Sequence, residues 1–108
     1  MTELSFRSVV RIDAVTEGTV VPHYLDDRRL RIALTRVDGD VYAFDDLCTC
    51  GAQSCPLSGG LLEGRTIMCQ CHGSRFDITT GDVLAGPAGP LRVYEVRETD
   101  GNLEVRLT

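Results

Sequence analysis

Apolar and polar residues alternate near both ends of the chain. Val10, Ile12 and Ala14 alternate with Arg11 and Asp13; Leu30, Ile32 and Leu34 with Arg31, Ala33 and Thr35; Leu103, Val105 and Leu107 with Glu104 and Arg106. A period of two puts successive side chains on opposite faces of an extended backbone, so these runs predict half-buried β-strands. Turn chemistry falls between them, at Glu17-Gly18, Asp38-Gly39-Asp40 and Asp100-Gly101-Asn102. Glycine and aspartate tolerate the positive φ of tight hairpins. Within Leu91–Val96 the alternation breaks at Tyr94-Glu95, which predicts a bulge. No stretch carries a helical stripe. The expected fold class is all-β, an antiparallel sandwich or barrel of many short strands.

The middle of the chain departs from this pattern. Residues 45–90 hold all five cysteines, one of the two histidines, three of the four prolines and eight of the eleven glycines. Such a segment reads as a loop-built subdomain carried by the flanking sheet. At 108 residues the chain has room for one domain, residues 1–108.

Charge narrows the partners. Eleven basic against sixteen acidic residues leave a net charge of −5 and a pI near 4.8. Nucleic-acid and anionic-membrane binding need the opposite balance. The longest apolar run, Val41 to Phe44, cannot span a bilayer. Met1 to Val10 carries Glu3 and Arg7 with no apolar stretch of a secretion signal. The expected location is the cytoplasm.

The cysteines carry the chemistry. In a chain of this kind they read as metal or redox groups before they read as a secreted disulfide framework. They form two knuckles, Cys48-Thr49-Cys50 and Cys69-Gln70-Cys71-His72, eighteen residues apart. Short spacings in a turn bring two soft donors to one centre, and thiolate-rich sites select iron–sulfur clusters, zinc or Cu(I). On spacing alone a structural zinc site stands as an alternative.

At this point the sequence resembles a family. Cys48-Thr49, then Cys69-Gln70-Cys71-His72-Gly73-Ser74-Arg75-Phe76-Asp77, then Thr80-Gly81-Asp82-Val83-Leu84 with Gly86-Pro87-Ala88, is similar to the Rieske-type [2Fe–2S] proteins, and among them to the small Rieske ferredoxins. The resemblance covers about residues 44–90 closely and the flanks loosely. It implies a Rieske-like antiparallel fold with a cluster-binding subdomain at about residues 45–90. It also implies that Cys48 and Cys69 hold one iron and His72 the other.

The family's remaining ligand, a histidine two residues after the first cysteine, falls on Cys50. The expected ligand set is therefore Cys48, Cys50, Cys69 and His72. The oxidised core carries 2+, so a third thiolate leaves the site at about −1. Two extra residues follow the first knuckle, and they leave Cys55 as the rival fourth ligand. By the same resemblance Cys55 and Cys71 occupy, or lie near, positions that form a disulfide in high-potential members. The Ser74 hydroxyl is expected to donate to a cluster sulfide. Gly73 is expected to permit close approach to the cluster, and Gly86 to Pro90 to cover it. Phe76 stands where high-potential members carry tyrosine and reads as core. Asp45 and Asp46 read as a solvated turn, and His23 as an exposed structural histidine.

The function this implies is one-electron transfer from a flavin-containing ferredoxin reductase to a terminal, aromatic-ring hydroxylating oxygenase. The chain would be an electron carrier and not an enzyme, since it has neither a substrate domain nor the histidines of a second iron site. Two other classes stay open at this stage: a Rieske-like small subunit of a nitrite-reductase-type complex, and a zinc-binding interaction module.

Overall fold

The computed structural model describes residues 6–49, 55–86 and 88–107. Eleven strands make up the described part: β1 Phe6–Arg11, β2 Val20–Leu25, β3 Leu30–Val37, β4 Asp40–Asp45, β5 Leu61–Glu63, β6 Thr66–Met68, β7 Arg75–Asp77, β8 Val83–Ala85, β9 Val93–Tyr94, β10 Val96–Thr99 and β11 Asn102–Arg106. No α-helix occurs among the described residues. The strands form three sheets, ordered β1-β11-β10, β2-β3-β4-β9 and β5-β6-β7-β8. All the strand pairings are antiparallel, so the all-β expectation holds.

The four-stranded sheet β2-β3-β4-β9 is the middle layer. Across β3 and β4, Leu34 pairs with Ala43 and Ala33 with Phe44. Ile32, Leu34 and Ala43 pack into one core with Leu103, Val105 and Leu107. Ala33 and Phe44 point to the opposite face and meet Ile67, Phe76, Cys48 and Cys69. Strand β3 is thus covered on both sides, and Ile32, Ala33, Leu34 and Thr35 are all fully buried. The alternation at Leu30–Thr35 predicts a strand correctly but one buried face too few, because Ala33 and Thr35 are small and their burial leaves little mark on the pattern.

Two hairpins follow their turn residues. Asp38-Gly39 joins β3 to β4 and Asp100-Gly101 joins β10 to β11, with positive φ at all four positions. Both are two-residue loops whose mirror-image turns match strand twist. Two other expectations are corrected. The alternation Val10–Ile12–Ala14 does not continue as strand: β1 ends at Arg11, paired with Asn102, and Ile12–Ala14 is a single 3-10 turn. The partner strand has reached its own hairpin there, and the Ile12 amide closes onto Gly101 O at 2.9 Å. The break at Tyr94-Glu95 is also not a bulge within one sheet. The chain changes sheets, with β9 pairing to β4 and β10 to β11.

Candidate metal centre

The second knuckle is the turn between β6 and β7. Cys69 follows β6, its amide donates to Ser74 O at 2.8 Å, and the Gly73 amide donates to Cys69 O at 2.9 Å. Gly73 has a φ of 73°. Apart from its chain neighbours, a Cβ on Gly73 would meet no atom of the described residues within 4 Å, so toward them its role is conformational. A close approach between protein segments lies at Gly86, where a Cβ would stand 2.5 Å from Ser74 Oγ and 2.6 Å from Ser74 Cα.

The first knuckle leaves the end of β4. Leu47 bridges to Pro56, the Cys48 amide donates to Cys55 O at 3.1 Å, and the Cys55 amide points back at Cys48 Sγ at 3.4 Å. Cys50 lies outside the described residues, as does Pro87. The two loops are joined by a disulfide between Cys55 and Cys71, with Cα atoms 6.3 Å apart. The pairing implied by the resemblance is therefore formed, and it occupies the Cys55 sulfur. The Thr49 hydroxyl donates to Gly89 O at 2.6 Å, tying the segment that follows β8 to the first knuckle.

These loops converge on one point. The Sγ atoms of Cys48 and Cys69 and a ring nitrogen of His72 all lie within 4.8 Å of one another. Both cysteines are buried and His72 is exposed. Two sheltered thiols with an imidazole at the surface make a donor set for a thiophilic metal centre that faces outward through its histidine. The hydroxyl of Ser74, whose main-chain oxygen holds the Cys69 amide, is fully buried and has no hydrogen-bond partner among the described residues. A buried hydroxyl without a partner costs about 1–3 kcal/mol. A cluster sulfide within reach of that hydroxyl would remove the cost, and two thiols with an imidazole are its donor set, so the residues present fit a [2Fe–2S] group.

Two readings of the sequence change here, at His23 and Asp46, and one holds. His23 is half-buried on β2, opposite Ile32, and is not among the grouped donors. Phe76 is fully buried in the core, as expected. Asp46 is not solvated at all: it is fully buried, while Asp45 accepts a hydrogen bond from the Tyr94 hydroxyl. Burial, and then the Asp45 carboxylate, push the Tyr94 phenol well above the ordinary tyrosine value. The doublet Asp45-Asp46 at a strand end carries no sign of burial, because the partner of Asp46 is Arg31, fifteen residues upstream.

Comparison with known proteins points the same way. The family model described as the Rieske [2Fe-2S] domain matches residues 5–95. The ferredoxin component of the naphthalene 1,2-dioxygenase/salicylate 5-hydroxylase systems of Ralstonia sp. is 41% identical over 87 residues, 80% of each chain. Among solved structures, the ferredoxin of Sphingomonas yanoikuyae B1 superimposes with a TM-score of 0.86 at 31% identity, over 96% of this chain and 100% of the other. A chain of the complex of reduced oxygenase and oxidised ferredoxin in carbazole 1,9a-dioxygenase gives a TM-score of 0.81 at 30% identity, covering 96% and 94%.

Proposed function

Since the chain belongs to the Rieske [2Fe–2S] family, we propose that it holds its cluster on Cys48, Cys50, Cys69 and His72 and relays single electrons from a flavoprotein ferredoxin reductase to a terminal, aromatic-ring hydroxylating oxygenase. It is an electron carrier of a dioxygenase system and not itself a catalyst. The cofactor is a [2Fe–2S] cluster, and the zinc reading is set aside. The observation that carries the reading is the convergence of Cys48, Cys69 and His72, together with a buried Ser74 hydroxyl that has no hydrogen-bond partner among the described residues.

When bound, the cluster supplies one reversible electron. The protein residues do the rest. Burial of Cys48 and Cys69 keeps water from the sulfur side, and exposure of His72 gives a partner a short path to the centre. The Cys55 N–H aimed at Cys48 Sγ and the Ser74 hydroxyl both favour added negative charge, which raises the potential. Thiol accounting supports Cys50 as the fourth donor. Cys55 and Cys71 are spent on each other, and Cys48 and Cys69 already face the site, so Cys50 is the cysteine that remains. A third thiolate opposes the incoming electron. The expected potential therefore lies between the Rieske range, roughly −150 to +300 mV, and the all-cysteine clusters near −400 mV.

No helix among the described residues is long and apolar enough to cross a membrane, and we place the carrier in the cytoplasm beside its partners. The test is EPR of the dithionite-reduced protein with iron and sulfide quantified. Two irons, two sulfides and a signal of mixed Cys/His ligation are expected. Cys50→Ala is expected to abolish or alter the signal, and Cys50→His to raise the potential. An unchanged spectrum in Cys50→Ala would remove Cys50 from the ligand set. Folded, iron-free protein carrying stoichiometric zinc would overturn the electron-transfer reading.

A further inference from the structure

The loop carrying Cys48 and Cys55 is closed at its foot by one carboxylate. Asp46 Oδ1 accepts the Ser58 amide at 2.7 Å, and Oδ2 accepts the Ser58 hydroxyl at 3.1 Å and the Arg31 Nε–H. Its main chain closes the same joint: the Asp46 amide donates to Arg31 O at 3.0 Å, and Asp46 O accepts the Leu57 amide. Above this joint come the Leu47–Pro56 bridge, the bond from the Cys48 amide to Cys55 O, and the bond from the Cys55 amide to Cys48 Sγ. Pro56 has no N–H to give, so the rung at Leu47 lacks a donor from that side. The joint below it has to hold the register of the two chain segments.

We propose that Asp46 is a positioning residue for the cluster: clamped between Arg31 on β3 and Ser58, it fixes the register of the first ligand loop and so keeps the Cys55 N–H on the Cys48 sulfur. This rests on the reading of Cys48 as a ligand. A buried carboxylate is a costly way to join two segments, since apolar packing serves stability as well or better. What the carboxylate adds is direction: it selects one partner amide, and a slip of one residue would turn the loop's side chains over. Arg31 is anchored in the middle sheet, where its neighbour Ile32 is fully buried, so the clamp refers the sulfur position to the sheet that is covered on both faces.

The experiment compares wild-type holoprotein with Asp46→Asn, Ser58→Ala and, as a control, Thr35→Val. Thr35 is fully buried on the same sheet and its hydroxyl donates to Thr19 O, outside the joint at Asp46. Three quantities are read: hydrogen exchange by mass spectrometry over residues 55–60, the EPR g-values after reduction, and the rate of iron loss to a chelator. Asp46→Asn is expected to speed exchange and iron loss by about tenfold each, the factor that 1.4 kcal/mol gives, and to shift the g-values. Ser58→Ala, which keeps the amide bond, should show the same changes at about threefold. It carries the test if Asp46→Asn does not fold.

Thr35→Val should lower the melting temperature and leave all three quantities alone. Unchanged exchange over 55–60 in both loop variants would overturn the proposal. So would faster exchange with unmoved g-values and iron loss, or a Thr35→Val control that reproduces the loop variants. Failure of the ligand reading is seen separately, as Cys48→Ala protein that still binds two irons and two sulfides.

Discussion

In the base of the molecule Ile32, Leu34, Leu103 and Val105 are buried because alternating side chains of two facing sheets interlock, and each contributes about 1.5–3 kcal/mol by leaving water. Around the metal centre the stabilising contacts are of another kind. There the segments that follow β4, join β6 to β7 and follow β8 carry a disulfide, a buried carboxylate, a glycine packed on a serine, and a threonine latch. Area-driven burial is additive and tolerant, so a base residue can be exchanged for another apolar one of similar volume. Geometry-driven contacts are single points of failure. A ligand site needs the second kind, because donors must be held to within a few tenths of an ångström, and general apolar burial does not do that.

If this contrast is right, substitutions near the centre should change the spectrum as well as the stability, and substitutions in the base only the stability. The largest effect is expected at Gly86. Its φ is 94°, and an added Cβ would overlap both the side chain and the backbone of Ser74. Gly86→Ala should cost about 4 kcal/mol, from backbone strain and overpacking together, and should shed its cluster on purification. Absorbance of the iron–sulfur chromophore against protein concentration measures the loss. A variant with full cluster content and an unmoved EPR signal would show that the segment after β8 is more yielding than its contacts imply.

Breaking the Cys55–Cys71 bridge comes next. It closes a loop of sequence separation 16, for which chain entropy predicts about 3 kcal/mol. Cys55→Ser, followed by chemical denaturation, should show that loss together with a shifted reduction potential, since Cys55 also directs its amide at the Cys48 sulfur. A loss of stability with the potential unchanged would assign the bridge to the fold alone. Gly73→Ala sharpens the contrast from the other side. It meets positive φ without a protein clash, so about 1 kcal/mol is expected, with the cluster retained. Denaturation followed at the chromophore and in the far ultraviolet would compare the two losses directly.

The division also explains what could be read from the sequence. Alternation placed β3 and β11, and the Asp-Gly pairs placed the turns that leave β3 and enter β11, because a period of two and a positive-φ turn are local properties of the chain. The sheet change at Glu95 was not local: it depends on β4 and β11 lying in different layers. At the site, the donors Cys48, Cys69 and His72 were legible because metal chemistry demands particular residue types at short spacing. Asp46 was not. An acidic residue beside another acidic residue reads as solvent-exposed until the strand register brings Arg31 next to it. The Gly86–Ser74 contact was hidden for the same reason, since it joins segments twelve residues apart through a shape and not a pattern.

The smallest expected effect lies in the base, at Tyr94. Its side chain is 8% exposed, the Arg92 guanidinium lies 5.0 Å from its ring centroid, and its hydroxyl donates to Asp45. Burial and that carboxylate raise the phenol in the folded protein above its ordinary value near 10. A phenol held protonated by folding stabilises the native state fully below the unfolded value. That contribution drains away as pH rises from about 10 toward the higher folded value, because the unfolded chain gives up its proton first. Tyr94→Phe should therefore cost about 1 kcal/mol at pH 8, from the lost hydrogen bond, and less at pH 11, where the wild type has begun to lose the same contribution. Melting curves of the two proteins at pH 8 and pH 11 read the convergence. The EPR signal at pH 8 should not move, since Tyr94 belongs to the core that faces β11 and not to the one that holds Cys48 and Cys69. A shifted signal would mean that the base and the metal centre are coupled through β4, and that the separation between tolerant packing and exacting geometry ends short of the middle sheet.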